Sequence, residues 1–151
     1  MSLVLQLSQR HPNSTELYAD GPHLATSQYE IGDADLGKET AYGIDLTYRS
    51  THTRWQAEFS TFYTYYEDYI FAEAQGFKTD GLDTYQFEAI DAEFYGFEAQ
   101  LDYELFKSVD STVLLSFMSD AVKARNKDSG DDLPRIPPLR IGSRLGLTHG
   151  N

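Results

Sequence analysis

The run Tyr95–Leu105, YGFEAQLDYEL, alternates apolar and polar residues without a break. Tyr95, Phe97, Ala99, Leu101, Tyr103 and Leu105 share one side; Gly96, Glu98, Gln100, Asp102 and Glu104 share the other. A period of two is that of a β-strand, whose successive side chains point to opposite faces. A helix cannot sort such a run, so this stretch must be extended with one apolar and one polar face. It is also longer than the ~5–6 residues typical of globular strands.

Five other segments repeat the pattern. Leu3, Leu5 and Leu7 oppose Val4, Gln6, Ser8 and Arg10, and Tyr42, Ile44, Leu46 and Tyr48 oppose Gly43, Asp45, Thr47 and Arg49. With more noise, Trp55, Ala57, Phe59, Thr61 and Tyr63 oppose Gln56, Glu58, Ser60 and Phe62. Val113, Leu115 and Phe117 alternate more weakly with Thr112, Leu114 and Ser116, and Leu139, Ile141, Leu145 and Leu147 oppose Arg140, Gly142, Arg144 and Gly146. Helical periodicity is nearly missing, so the fold class is all-β: an antiparallel meander of about six long strands.

The connections alternate in length. STHT and KSVDS are tight turns, whereas 11–38, roughly 72–84 and roughly 123–138 are expected to be long loops. Strict alternation places all the long loops at one end of the sheet, as in transmembrane β-barrels. Aromatic residues gather near the strand ends, with Tyr48, Trp55 and Tyr103 by the short turns and Tyr63, Tyr65 and Tyr69 by the long loops. Interfacial girdles have this arrangement. A soluble two-sheet sandwich that binds carbohydrate or protein alternates in the same way, and the pattern alone leaves it open.

Composition narrows the function. The net charge of −12 argues against nucleic acid, whose phosphates need clustered Lys and Arg. The absence of Cys excludes disulfides, thiolate metal sites and Cys nucleophiles. MSLVLQL has neither the basic start nor the cleavage site of a signal peptide, and Met1–Leu3 read as an expression scar. No Gly-x-Ser-x-Gly, His-Glu-x-x-His or phosphate-cradling Gly loop is present, so catalysis is not expected. Glu98 and Asp102 on one strand face would stand ~13 Å apart, beyond the reach of a glycosidase pair.

The stretch RHPNSTELYADGPHLATSQYEIGDADLGKETAYGIDLTY resembles the barrel of TonB-dependent outer-membrane receptors. The motif residues are Arg10, Pro12, Ser14, Glu16, Leu17 and Tyr18, then Gly32, Asp33, Leu36, Glu39 and Thr40. FYTYYEDYIF, FYGFEAQLDYEL and LPRIPPLRIG resemble later strands and a Pro-rich loop of the same family. The resemblance runs from about Arg10 to Gly146. It implies residues 1–151 as part of a barrel of about 22 strands, without a plug domain or a C-terminal strand. It further implies a Gram-negative outer membrane, TonB contacted through the plug, and uptake of a metal or siderophore-like chelate. Lumen-facing residues would then be Asp45, Glu58, Glu98, Asp102, Arg140 and Arg144. Lipid would meet Tyr42, Ile44, Leu46, Tyr95, Phe97 and Leu101. An excised stretch of such a wall is expected to self-associate through its open edges and apolar face.

In the first long connection His11, Glu16, Asp20 and His23 form a candidate set for weak divalent metal binding, since imidazole with carboxylate suits zinc, copper, nickel or iron. No other cofactor is expected. DADLG and NKDSGDD lack the Glu that closes a calcium loop, so their Asp and Asn side chains are expected to cap turns.

Overall fold

The period-two segments pair into one open, twisted sheet. A computed structural model describes residues 1–150. Its meander runs β1 (Ser2–Arg10), β4 (Glu39–Thr51), β5 (Trp55–Thr79), β6 (Leu82–Lys107), β7 (Ser111–Asn126) and β8 (Arg140–His149), each antiparallel to the next. β1 and β8 lie at opposite edges, and among the described residues no second sheet covers either face. The arrangement is therefore not a sandwich. Ser2 and Leu3 lie in β1, opposite Thr47 and Leu46.

The connections at 52–54 and 108–110 lie at one end and the other three at the opposite end, as the alternation requires. Two of those three differ from expectation. The stretch 72–84 is not a loop: β5 and β6 continue through it as strands of 25 and 26 residues. They close in a two-residue turn at Asp80 and Gly81, with φ of 53° and 81°. This Asp-Gly pair has the left-handed geometry of a type I′ hairpin turn, which matches the natural strand twist. The other difference lies in 11–38, which carries a short helix α1 (Ser14–Tyr18) and a hairpin of β2 (Asp20–His23) and β3 (Gln28–Ile31). β3 pairs parallel with the far end of β6, Gln28 opposite Asp83 through Ile31 opposite Gln86. One parallel pair thus interrupts an otherwise antiparallel sheet.

β4 and β5 pair from Thr40–Glu67 to Thr51–Gln56 without a shift. Between β5 and β6 the register slips at Tyr66/Tyr69 and at Ala74/Lys78. The first slip is a bulge with Asp68 at φ 56°. An extra residue re-aims everything beyond it. Tyr69 therefore joins Tyr66 on the polar face instead of extending the row of Tyr63 and Tyr65. This corrects its expected place among the girdle aromatics.

The small core lies at this level. Ala92, Ala124 and Leu133 are buried, packed by Tyr66, Tyr69, Phe71, Ile90, Phe94 and Ile136. Leu133 arrives from the 127–139 connection, whose backbone turns back so that the Leu133 N–H donates to the Ala124 carbonyl at 2.9 Å.

Candidate functional site

The structured end of the sheet is held together by one arginine. Arg10, the last residue of β1, lies opposite Glu39, the first of β4. Its Nε and Nη2 donate to Glu39 at 3.0 and 2.9 Å, and its Nη1 donates to both Glu16 oxygens at 3.0 and 2.9 Å. Two nearly buried carboxylates share one guanidinium, whose planar fork suits this bidentate geometry. Glu16 also closes a capping box: it accepts from the Asn13 N–H at 2.8 Å, while Asn13 Oδ1 accepts from Thr15 and Glu16. Glu39 further accepts from the Ile70 N–H at 3.1 Å, at the bulge of β5. A single cluster thus ties β1, α1, β4 and β5 together.

Gly32 completes the join. Its N–H donates to the Ala19 carbonyl at 2.7 Å, and Asp33 donates to Glu16 at 2.9 Å. A side chain at Gly32 would put its Cβ 2.5–2.7 Å from the Leu17–Ala19 backbone. Only glycine permits this approach. Asp33 caps Asp35, and Asn126 caps Asp128 and Ser129, so both acidic runs do serve as turn chemistry.

The four candidate metal residues are spread over this layer. Glu16 is occupied by Arg10 and Asn13. Asp20 accepts from the Tyr29 hydroxyl at 2.9 Å, and that hydrogen bond pushes the Tyr29 pKa upward. His23 Nδ1 lies 2.9 Å from the Thr26 hydroxyl and 3.2 Å from a Glu30 oxygen. His11 lies exposed at the start of the connection. Among the described residues no three His, Asp or Glu side chains are grouped as a metal ion would need.

The strand residues are sorted by the register. Rows Ser60–Glu98–Asp120–Arg140 and Gln56–Asp102–Ser116–Arg144 cross the sheet on one face. Asp45 and Glu58 fall on the same face, so Asp45, Glu58, Glu98, Asp102, Arg140 and Arg144 are brought to one side. Glu58 is held by Arg49 at 2.6 and 3.0 Å, Arg140 donates to Asp120 at 2.9 Å, and Asp102 accepts from Ser116. Glu58, Ser60, Glu98, Asp120 and Arg140 line a shallow polar groove there. Tyr42, Ile44, Leu46, Tyr95, Phe97 and Leu101 occupy the opposite face, with Leu3, Leu5, Leu7, Phe59 and Ile141.

Beyond the groove, on the same face, stands an aromatic cluster that strand periodicity did not reveal. Tyr66, Tyr69 and Phe94 meet edge to face at 5.1–5.2 Å, and Phe71 stacks on Tyr69 at 6.2 Å. Burial raises the Tyr69 pKa, with the Glu39 charge adding to it. Arg135 closes the layer from above. Its Nη2 donates to Gln28 at 3.0 Å, and its guanidinium lies 5.6 Å from the Tyr85 ring centre.

A family model described as TonB dependent receptor-like, beta-barrel, matches residues 7–151. Among solved structures, a copper transporter, OprC, superposes with a TM-score of 0.71 at 21% identity, covering 97% of this chain and 21% of that one. The siderophore receptor PirA from Pseudomonas aeruginosa superposes with a TM-score of 0.51 at 17% identity, covering 94% of this chain and 30% of that one. The chain thus spans less than a third of the length of either structure.

Proposed function

The chain belongs to the TonB-dependent receptor β-barrel family, and from that premise we propose that it is a length of wall in a TonB-energised receptor importing a metal or metal chelate. Receptors of this family reside in the Gram-negative outer membrane. The observation that carries the reading is the sorting of a single open sheet. Charged side chains are collected on one face and apolar ones on the other, and every long connection folds into a layer at one end. In a barrel wall the apolar face meets lipid and the charged face lines the lumen.

Passage and recognition are then the work of the wall, and no reaction is assigned to it. Ligand would approach through the layer of 11–38 and 127–139 and meet the lumen-side aromatics Tyr66, Tyr69 and Phe94. Glu16, Asp20 and the His23 Nδ1 are engaged by Arg10, Tyr29 and Thr26, so metal contact in the first connection would fall to His11 and the other ring nitrogen of His23. The plug-borne contact with TonB would come from a part of the receptor outside this stretch. Copper and ferric-siderophore uptake, measured in cells with and without the receptor and with an uncoupler, tests the proposal. Energy-dependent accumulation of either is expected. Equal uptake of both without the receptor would refute it.

A further inference from the structure

Charge interrupts the apolar face at one level. On that face β7 presents Val113, Leu115, Phe117, Ser119 and Ala121, and then Lys123 and Arg125, with Lys127 just past its end. Lys123 lies opposite Tyr95 and Arg125 opposite Glu93. Further along the sheet, on β4 and β5, Tyr42, Tyr63 and Tyr65 donate their hydroxyls to Glu67, Glu93 and Asp91 at 3.2, 3.1 and 2.6 Å. All three rings turn their polar tips toward the layered end.

Depth follows from the strand itself. Trp55 and Tyr65 share a face of β5 ten residues apart. That separation is about 33 Å along the strand and about 25 Å along a barrel axis at ~40° tilt, the height of a barrel's apolar band. The tyrosine hydroxyls and the three cations therefore stand where acyl chains give way to headgroups. Glu93 engages Lys127 at 3.2 Å and Asp132 engages Arg125 at 3.4 Å. Lys123 makes no ion pair among the described residues and carries the unshared charge.

We propose that Lys123, Arg125 and Lys127, with Tyr63 and Tyr95 beneath them, dock the phosphate-bearing headgroup of an outer-leaflet lipid. The proposal rests on the outer-membrane reading above. An ammonium and a guanidinium supply charge-assisted donors to phosphate oxygens, and anionic headgroups attract basic clusters at this depth. Lys123 is the anchor, because nearby carboxylates occupy its two companions.

Native mass spectrometry of the receptor extracted from outer membranes in mild detergent tests this, with a diphosphorylated glycolipid added back as probe. One retained lipid per polypeptide is expected. The K123Q/R125Q/K127Q variant should lose it at least tenfold. K123R/K127R should keep it, as should R140Q/R144Q on the other face. Equal retention by the triple glutamine variant, or displacement by millimolar inorganic phosphate alone, would overturn the site. A Leu24→Cys receptor, labelled on intact cells with an impermeant maleimide, separates the two levels. Labelling with equal lipid retention removes the lipid site only, and no labelling removes the orientation and the site together.

Discussion

The wall and the layer beyond it are built on different principles. From Ile44 to Tyr63, and along β6 and β7 from Tyr95 to Lys123, no residue is buried. The strands there are held by ladders that run unshifted between β4 and β5 and slip once between β6 and β7, at Glu104/Phe106, and by cross-strand pairs such as Phe59 on Phe97 at 6.2 Å. The buried hydrophobics Ala41, Ile70, Ala92, Ala124 and Leu133 all stand at the level of the bulge or beyond. There the register slips, left-handed residues appear, and carboxylates are buried around Arg10. The wall leaves both faces to its surroundings, whereas the layer makes its own interior. A barrel wall can do without a core because its solvent on one side is lipid. A layer in water cannot, and must bury apolar groups and satisfy each polar one.

The largest expected effect comes from Arg10→Leu. It leaves Glu16 and Glu39 buried side by side without a counter-charge, a loss of about 3 kcal/mol after allowing for the partial exposure of Arg10. Limited proteolysis of receptor in outer membranes should cut within 11–38 while the wall stays intact. Loss of membrane insertion as well would break the distinction between the two regions. Next, Phe97→Arg on the apolar face should cost about 2–4 kcal/mol at mid-membrane. Phe77→Arg, at an exposed position near the hairpin tip, should be close to neutral. Reversible unfolding in lipid vesicles compares them, and equal costs would deny that only the wall meets lipid.

Gly81→Val acts on the layer alone. The position has φ 81° and open space around it, so the cost is backbone strain of about 1–3 kcal/mol. Hydrogen exchange should rise at Asp83–Gln86 and in β3, which docks there, but not in β4. The smallest effect concerns pH. Burial, reinforced by Glu73, raises the Glu88 pKa above the ordinary glutamate value. Its contribution is thus fully present below the unfolded pKa of about 4.3 and is lost as pH rises through the folded value. The hairpin end, its melting followed from pH 4 to 7, should lose stability as pH rises through that window. Glu88→Gln should flatten the profile, and an unchanged slope would show that Glu88 is solvated in the layer.

Much of this was readable from composition and pattern, and the places where reading failed are physical. Alternation in 95–104 assigned faces correctly, up to the slip at Glu104/Phe106, because a regular strand's side-chain period leaves no other choice. Asn13 and Glu16 could be recognised as a capping box from their spacing, and Asp80-Gly81 as a hairpin turn from its chemistry. The polar run around that turn masked it, because a strand outside the bilayer needs backbone partners and not an apolar side. The partnership of Arg10 with Glu16 and Glu39 was visible only as motif residues with no stated contact.

Local chemistry therefore determined the strands, their two faces, the short turns and the end at which the long connections emerge. These depend on neighbours two to four residues away. Tertiary structure alone decided that a bulge at Asp68 turns Tyr69 to the polar face, that β3 pairs parallel with β6, and that Leu133 folds back over the aromatic cluster while Arg135 lies over Tyr85. Each of those rests on residues brought together from distant parts of the chain. Their pairing is set by which buried groups can satisfy one another in space, and alternation along a single strand carries no record of that.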